Sequence, residues 1–454
     1  MRFLLDPEQR AFAHSLNALL TAADTPAVIR GWAAGDHTAG RALWSRLADA
    51  GVFALAVPEA YEGVGPLPVE LAVAFVELGR HGVPGPLVET VAAAALLSRL
   101  DESGPAKRLL PALASGAALA TVALPGGGPF VLDADAAEVC LTVTYPGAGR
   151  GEHPAGRDAG VRGSGTRDTA RDVGRVDPGI SDTGPRDAGA RGTGTRDAGT
   201  QGTETRDAGV PDTSRPDTST QNTGTGPPDT SAAPAQLHLT QTPHPHPHPH
   251  DSGTGTGTGT GSSPTTPITP GVDAPAPRPS LDRARRLTLP RPGGELLAAG
   301  PHVTRAAAQA LTWARLATAA QALGVGLALL DMTVEYVKRR TQFGVPIGSF
   351  QAVKHQLADA KVALEFARPL LFGAALSMDP ADVAAAKVTA CEAAYATART
   401  ALQAHGAIGY TAEYDLSLWL TKSRALHTAW GSPAECRAEV LAGRTAAGGG
   451  DPRP

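Results

Sequence analysis

RRTQFGVPIGSFQAVKHQ, residues 339–356, decides how the chain is read. It ends a long Ala- and Leu-rich stretch and breaks a pattern that otherwise reads as plain helix packing. Arg340 carries a planar fork of donors suited to a phosphate or pyrophosphate. Phe343 offers a flat apolar face, Gly344 permits close backbone approach, and the amide of Gln351 can read a heterocycle or ribose edge. Lys338, Arg339 and Arg340 also fit a solvated helix end, where cations complement the helix dipole.

On both sides of this corner the pattern is helical. Upstream, residues 302–340 can form one helix of roughly 55 Å at 1.5 Å per residue. Downstream, a helix from about Ser349 places Val353, Leu357, Ala360 and Leu364 on one face. MDPADVAAAKVTACEAAYATARTALQAHG (378–406) follows, with Asp379 as cap, Pro380 in the first turn and Gly406 as terminator. A last helix from about Glu413 to Gly431 makes four, so 301–447 reads as a four-helix bundle with a disordered tail at 448–454.

The N-terminal 118 residues predict a helical domain of five or six helices, the first capped by Asp6 with Pro7 at its first position. Between the two helical parts lies a reduced β domain, 119–300. ALATVAL (118–124) and AEVCLTVTY (137–145) are short β-branched runs, QLHLT (236–240) alternates as a third strand, and LDRARRLTLP (281–290) leads toward a fourth. The fold class is mainly α: an N-terminal helical domain, a small β middle domain and a C-terminal four-helix bundle.

Residues 147–279 interrupt the β domain. Apolar residues make up 42% of the chain and charged ones 19%, but 147–235 holds five Val or Ile and no Leu, Met or aromatic. Arg-Asp recurs at 157, 167, 171, 186, 196 and 206, and PHPHPHPH (243–250) and GTGTGTGTG follow. Stacked repeats need an apolar face that these units lack, so the span is expected to be a disordered insert. Proline between the histidines disfavours a closed metal site, and no metal is expected. The net charge of −4 gives no pull toward nucleic acid or anionic membrane. Cys140, Cys391 and Cys436 have no disulfide or metal-ligand spacing. With no signal-like start and no apolar run near 18 residues, a cytoplasmic protein is expected.

Four motifs in order resemble the acyl-CoA dehydrogenase family: WSRLADAGVFALAVPEAYEGVG (44–65), VELAVAFVELGRHGVPGPL (69–87), RRTQFGVPIGSFQAVKHQLADA (339–360) and QAHGAIGYTAEYDL (403–416). The resemblance covers nearly everything outside 147–279. It implies that Arg340, Gln342, Phe343 and Gln351 reach the adenine and pyrophosphate half of an FAD across a subunit interface. It assigns Gln403, Gly406 and Gly409 to the same dinucleotide, with Ala407 where the family has a second glycine.

The family reaction is α,β-dehydrogenation of an acyl-CoA thioester, in which a carboxylate takes the α-proton and hydride passes to the flavin. Neither position that carries the base in the family does so here: HTAWGSPAE puts Trp430 at one and LTWARLATAA puts Ala314 at the other. No catalytic residue is therefore assigned. Glu435 is the nearest acid downstream, and it also suits a solvated helix. Trp430 would fill space beside the flavin, or simply plug a packed bundle. The family's flavin-facing Thr-Glu-Pro loop has no clear match, only PGGGPFVLDADAAEV (125–139). The resemblance implies a base-lacking subunit paired with a catalytic homologue in a homo- or heterotetramer, passing electrons to an electron-transfer flavoprotein or similar acceptor. A self-sufficient dehydrogenase with an unusual base and a flavin-dependent monooxygenase are the alternatives.

Overall fold

A computed structural model describes residues 5–145, 234–241 and 277–448. Six α-helices open the chain: α1 (Pro7–Thr21), α2 (Thr25–Ala34), α3 (Thr38–Asp49), α4 (Pro68–Arg80), α5 (Leu87–Leu97) and α6 (Ser103–Ala114). Asp6 and Gln9 close a reciprocal capping box on α1, and Pro7 stands at its first position. α5 is buried along its whole length, including Glu89 and Thr90.

The β part is a four-stranded sheet of order β1 (Ala120–Ala123), β3 (Val139–Thr144), β4 (Gln236–Gln241), β6 (Glu295–Ala299). β1 and β3 run parallel and the other neighbours antiparallel, with a bulge at Leu237 and His238. β2 (Val131–Leu132) pairs with β5 (Leu287–Thr288). The third strand read at 236–240 is β4, and it divides the span 147–279 that was expected as a disordered insert. Leu237 and Leu239 are buried, which supplies the apolar face that the flanking repeats lack. Residues 146–233 and 242–276, with the repeats and the alternating histidines, lie outside the described residues.

α7 (Pro301–Arg339) is the central helix, packed by α4, α5, α8 (Gln351–Ser377) and α9 (Pro380–His405). A Cβ at Gly324 would lie 1.9 Å from the Val76 carbonyl oxygen, so α4 and α7 meet backbone to backbone. By length and composition α7 could cross a membrane, contrary to the reading of no such run, yet 78% of its apolar window is buried inside the protein. The expected last helix is two: α10 (Leu416–Thr428) and α11 (Pro433–Gly448). The break comes at Trp430, whose φ of 58° cannot continue a helix. Asp379 caps α9, its Oδ1 accepting from the N–H of Ala381 and Asp382.

Candidate functional site

The first candidate region is the bundle end where α7 stops, α8 starts and α9 stops. A hairpin, β7 (Thr341–Gln342) and β8 (Val345–Pro346), links α7 to α8. Its turn places Phe343 at φ 53° and Gly344 at φ 79°, the pair of positive values that a tight two-residue hairpin demands. Phe343 accepts this strained conformation while 93% exposed, its ring edge-on to that of Phe350 at 6.2 Å.

The three cations here divide their roles. Lys338 and Arg339 both pair with Glu335, at 3.0 and 3.3 Å, and serve the helix end. The Arg340 side chain completes no hydrogen bond or ion pair among the described residues, although its backbone is pinned by Tyr336 and Ile347. It borders a groove of about 550 Å³ with Tyr336 and Tyr414. Gln342 turns its amide back to the Thr341 carbonyl, and Gln351 is exposed at the start of α8.

The second motif reaches the same bundle end. The His405 ring stacks on Tyr336 at 4.1 Å, and the Tyr336 hydroxyl donates to the His405 carbonyl. Gly406 takes φ 65°, and Gly409 is buried, where an added Cβ would crowd Leu402 at 3.1 Å. Ala407 is exposed, so its methyl is not wedged inside the fold. Gln403 lines a separate hollow of about 460 Å³ between α8 and α9, beside Gln356 and Arg399. The predicted residues therefore share one end of the bundle but flank two concavities. The exposed fork of Arg340, the flat Phe343 and the open side of Gly406, where a Cβ would meet nothing within 4 Å, suit a charged ligand with a planar ring.

The second candidate region is an interior cleft of about 480 Å³ beneath Trp430. Trp430 is 4% exposed, and its indole lies over Gly127, where an added Cβ would approach to 2.6 Å. Two buried cations hold this loop by its carbonyls. Arg315 Nε donates to the Trp430 oxygen at 3.1 Å, and Lys387 Nζ donates to the Gly431 oxygen at 2.7 Å. No backbone partner occupies the Trp430 N–H among the described residues. Ala314, on α7 beside Arg315, is fully buried. Glu435 is not in the cleft: it accepts from the Ser432 N–H at 2.6 Å and starts α11 with a capping box. That bond holds its carboxyl below the usual range.

The carboxyl that does line the cleft is Glu89, which sequence reading did not single out. α5 is locked to the sheet there, because the Thr90 hydroxyl exchanges two 3.1 Å hydrogen bonds with Ala120. Burial raises the Glu89 carboxyl above its ordinary value, and the Arg285 charge offsets part of the rise. The signal was a lone acid inside LVETVAAAALL (87–97), an otherwise apolar run. Arg315 and Lys387 were marked in the same way.

Two family descriptions match. The acyl-CoA dehydrogenase N-terminal domain covers residues 6–117, and the acyl-CoA dehydrogenase C-terminal domain covers 304–444. Acyl-CoA dehydrogenase IpdE2 of Mycolicibacterium smegmatis is 36% identical over 160 residues, 35% of this chain and 49% of that relative. The 3-sulfinopropanoyl-CoA desulfinase of Paraburkholderia xenovorans is 38% identical over 130 residues, 28% of this chain and 34% of the other. The chain thus spans about half the length of the curated relatives it matches, or less. In fold it is similar to the ChsE4-ChsE5 complex from Mycobacterium tuberculosis, with a TM-score of 0.63 at 21% identity and 100% of both chains covered. Against the Tcur3481-Tcur3483 steroid ACAD variant the TM-score is 0.61 at 22% identity, covering 97% of this chain and 99% of the other.

Proposed function

Because the chain belongs to the acyl-CoA dehydrogenase family, we propose that it is a subunit of a flavin-dependent acyl-CoA dehydrogenase that works beside a base-bearing homologue. The observation that carries this is the contrast at Arg340 and Trp430. A cation whose side chain completes no hydrogen bond or ion pair among the described residues stands at the bundle end, while both positions read for the base hold residues that cannot titrate. Arg340, Gln342, Phe343 and Gln351 would hold the adenine and pyrophosphate half of an FAD shared with the neighbour, with Gln403, Gly406 and Gly409 on the flank. The neighbour has surface to meet: Val362, Phe366 and Leu370 are exposed along one side of α8. Structures named for two-component complexes among its fold relatives favour the same arrangement.

Bound FAD would accept hydride from the acyl group and pass electrons to an electron-transfer flavoprotein or similar acceptor. This chain contributes the Trp430 backbone N–H, whose loop is fixed from behind by Arg315 and Lys387, as a donor for a thioester carbonyl. Co-expression with the homologous subunit tests the reading: FAD should be retained by the pair and not by this chain alone. Arg340→Ala should lower FAD content about tenfold or more while leaving the melting temperature of the FAD-free chain unchanged. An isolated chain that keeps FAD unaided, or an Arg340→Ala pair with full FAD content, would sink it.

A further inference from the structure

The Trp430 loop repeats one construction on two successive peptides. In the peptide between Gly431 and Ser432, the carbonyl accepts from Lys387 Nζ at 2.7 Å and the N–H donates to the Glu435 carboxylate at 2.6 Å. In the peptide between Trp430 and Gly431, the carbonyl accepts from Arg315 Nε at 3.1 Å, but the Gly431 N–H has no acceptor among the described residues. Gly431 is buried, and buried backbone donors are seldom left unpaired. The Trp430 N–H beside it also lacks an acceptor there.

A trans peptide sets its C=O and N–H on opposite edges. With its carbonyl on Arg315, the 430–431 peptide therefore turns its N–H away from that guanidinium. Trp430 lines the cleft and Arg315 does not. A cation bonded to the carbonyl also strengthens the N–H as a donor. Arg315 is itself held: it is 5% exposed, and its Nη1 pairs with Glu439 of α11. Lys387, 1% exposed, pairs with no carboxylate among the described residues, so its charge favours an acceptor that gains negative charge.

We propose that the Gly431 N–H is a second donor to the thioester carbonyl, beside that of Trp430, and that Arg315 and Glu439 are the positioning residues that aim it. The proposal rests on the functional reading above and adds a donor to the same site. Fixed N–H groups directed at one oxygen stabilise the charge that develops on it, and they need no reorganisation to do so.

The dipeptide Trp-Gly occurs once in the sequence, at 430–431. Labelling this chain with 13C-carbonyl tryptophan and 15N glycine therefore reports that amide alone. The probe is crotonyl-CoA, an α,β-unsaturated thioester that oxidised flavin does not dehydrogenate, added to the flavin-loaded pair of subunits. The amide proton should move downfield as the thioester saturates the pair. Glu439→Ala should cut that displacement at saturation, and Glu439→Gln, which keeps a hydrogen bond to Arg315, should restore most of it. A merely structural Glu439 would lower the melting temperature and leave the displacement intact. Arg315→Met should abolish the displacement; if that chain does not fold, the two Glu439 variants decide. Calorimetric binding of crotonyl-CoA with the amide unmoved, or a displacement untouched in Glu439→Ala, would overturn the proposal and leave the subunit reading standing. A flavin-loaded pair that binds no thioester would overturn both.

Discussion

The bundle corner and the interior cleft are built by opposite rules. At the corner, Arg340, Phe343 and Gln351 lie within a dozen residues of one another, are exposed and have little of their own chain to hold. At the cleft, Glu89 and Trp430 line the wall and Arg315 and Lys387 hold its loop from behind; the four come from distant parts of the sequence and are all buried. The first arrangement suits groups that serve something outside the fold, and the second makes function and stability hard to separate. A corner substitution should therefore change binding alone, whereas a cleft substitution should change both.

Trp430→Glu strikes this contrast hardest. On the proposed reading it puts a carboxyl where a base would act, and a general base typically contributes about 10²–10⁴ in rate. In the flavin-loaded pair, anaerobic bleaching by an acyl-CoA should appear or accelerate by that order. The same change removes the indole from above Gly127, so the variant should also unfold more easily. A flavin-loaded variant that bleaches no faster would show that the 430 loop does not face a thioester. A variant as stable as the wild type would break the claim that the cleft couples the two properties.

Lys387→Met tests the buried side from behind. Lys387 is 1% exposed and supplies the hydrogen bond to the Gly431 oxygen. Without it, the buried Gly431 carbonyl keeps only the weak Cys436 thiol contact at 3.9 Å, at a cost of about 1–3 kcal/mol in urea unfolding. Arg340→Ala at the corner should shift the same transition by less than about 0.5 kcal/mol. Similar losses for both would erase the distinction.

The two regions also differed in how far they could be read from sequence. Signals carried by neighbouring residues were legible: Asp6 with Pro7, Asp379 with Pro380, and Gly406 at the end of α9. A cap needs only a few consecutive residues, whereas the hairpin at the corner was not read, because its turn puts Phe343 at a positive φ that its residue type does not announce. The positions Ala314 and Trp430 could be located, but not the residues packed around them. Glu89 reaches the cleft through the docking of α5 on β1, which depends on strand pairing far along the chain. β6, with sequence ELLAA, has no intrinsic strand preference and is extended because β4 pairs with it. The split of the last helix at Trp430 follows from a positive φ held by Arg315 and Lys387, neither of which is near it in sequence.

The last expected effect is a pH dependence confined to the cleft side. Asp133 lies at the turn after β2, with φ 50°, its Oδ1 accepting from the Arg286 N–H at 3.1 Å. Burial, with the nearby Glu89 and Asp135 carboxyls adding to it, pushes its own carboxyl up to about 8, against the Arg286 hydrogen bond. The unfolded chain releases this proton near 3.8 and the folded chain near 8, so between those values the folded state binds more protons. Stability contributed by this group must then fall as pH rises through that window. Asn keeps the acceptor, tolerates the left-handed backbone and cannot titrate. From pH 5 to pH 8 the wild type should lose more stability than Asp133→Asn, measured by urea unfolding at each pH. Parallel pH profiles would mean that this carboxyl is ionised and solvated in the folded state, and the cleft would then be wetter, and closer in character to the corner, than its packing implies.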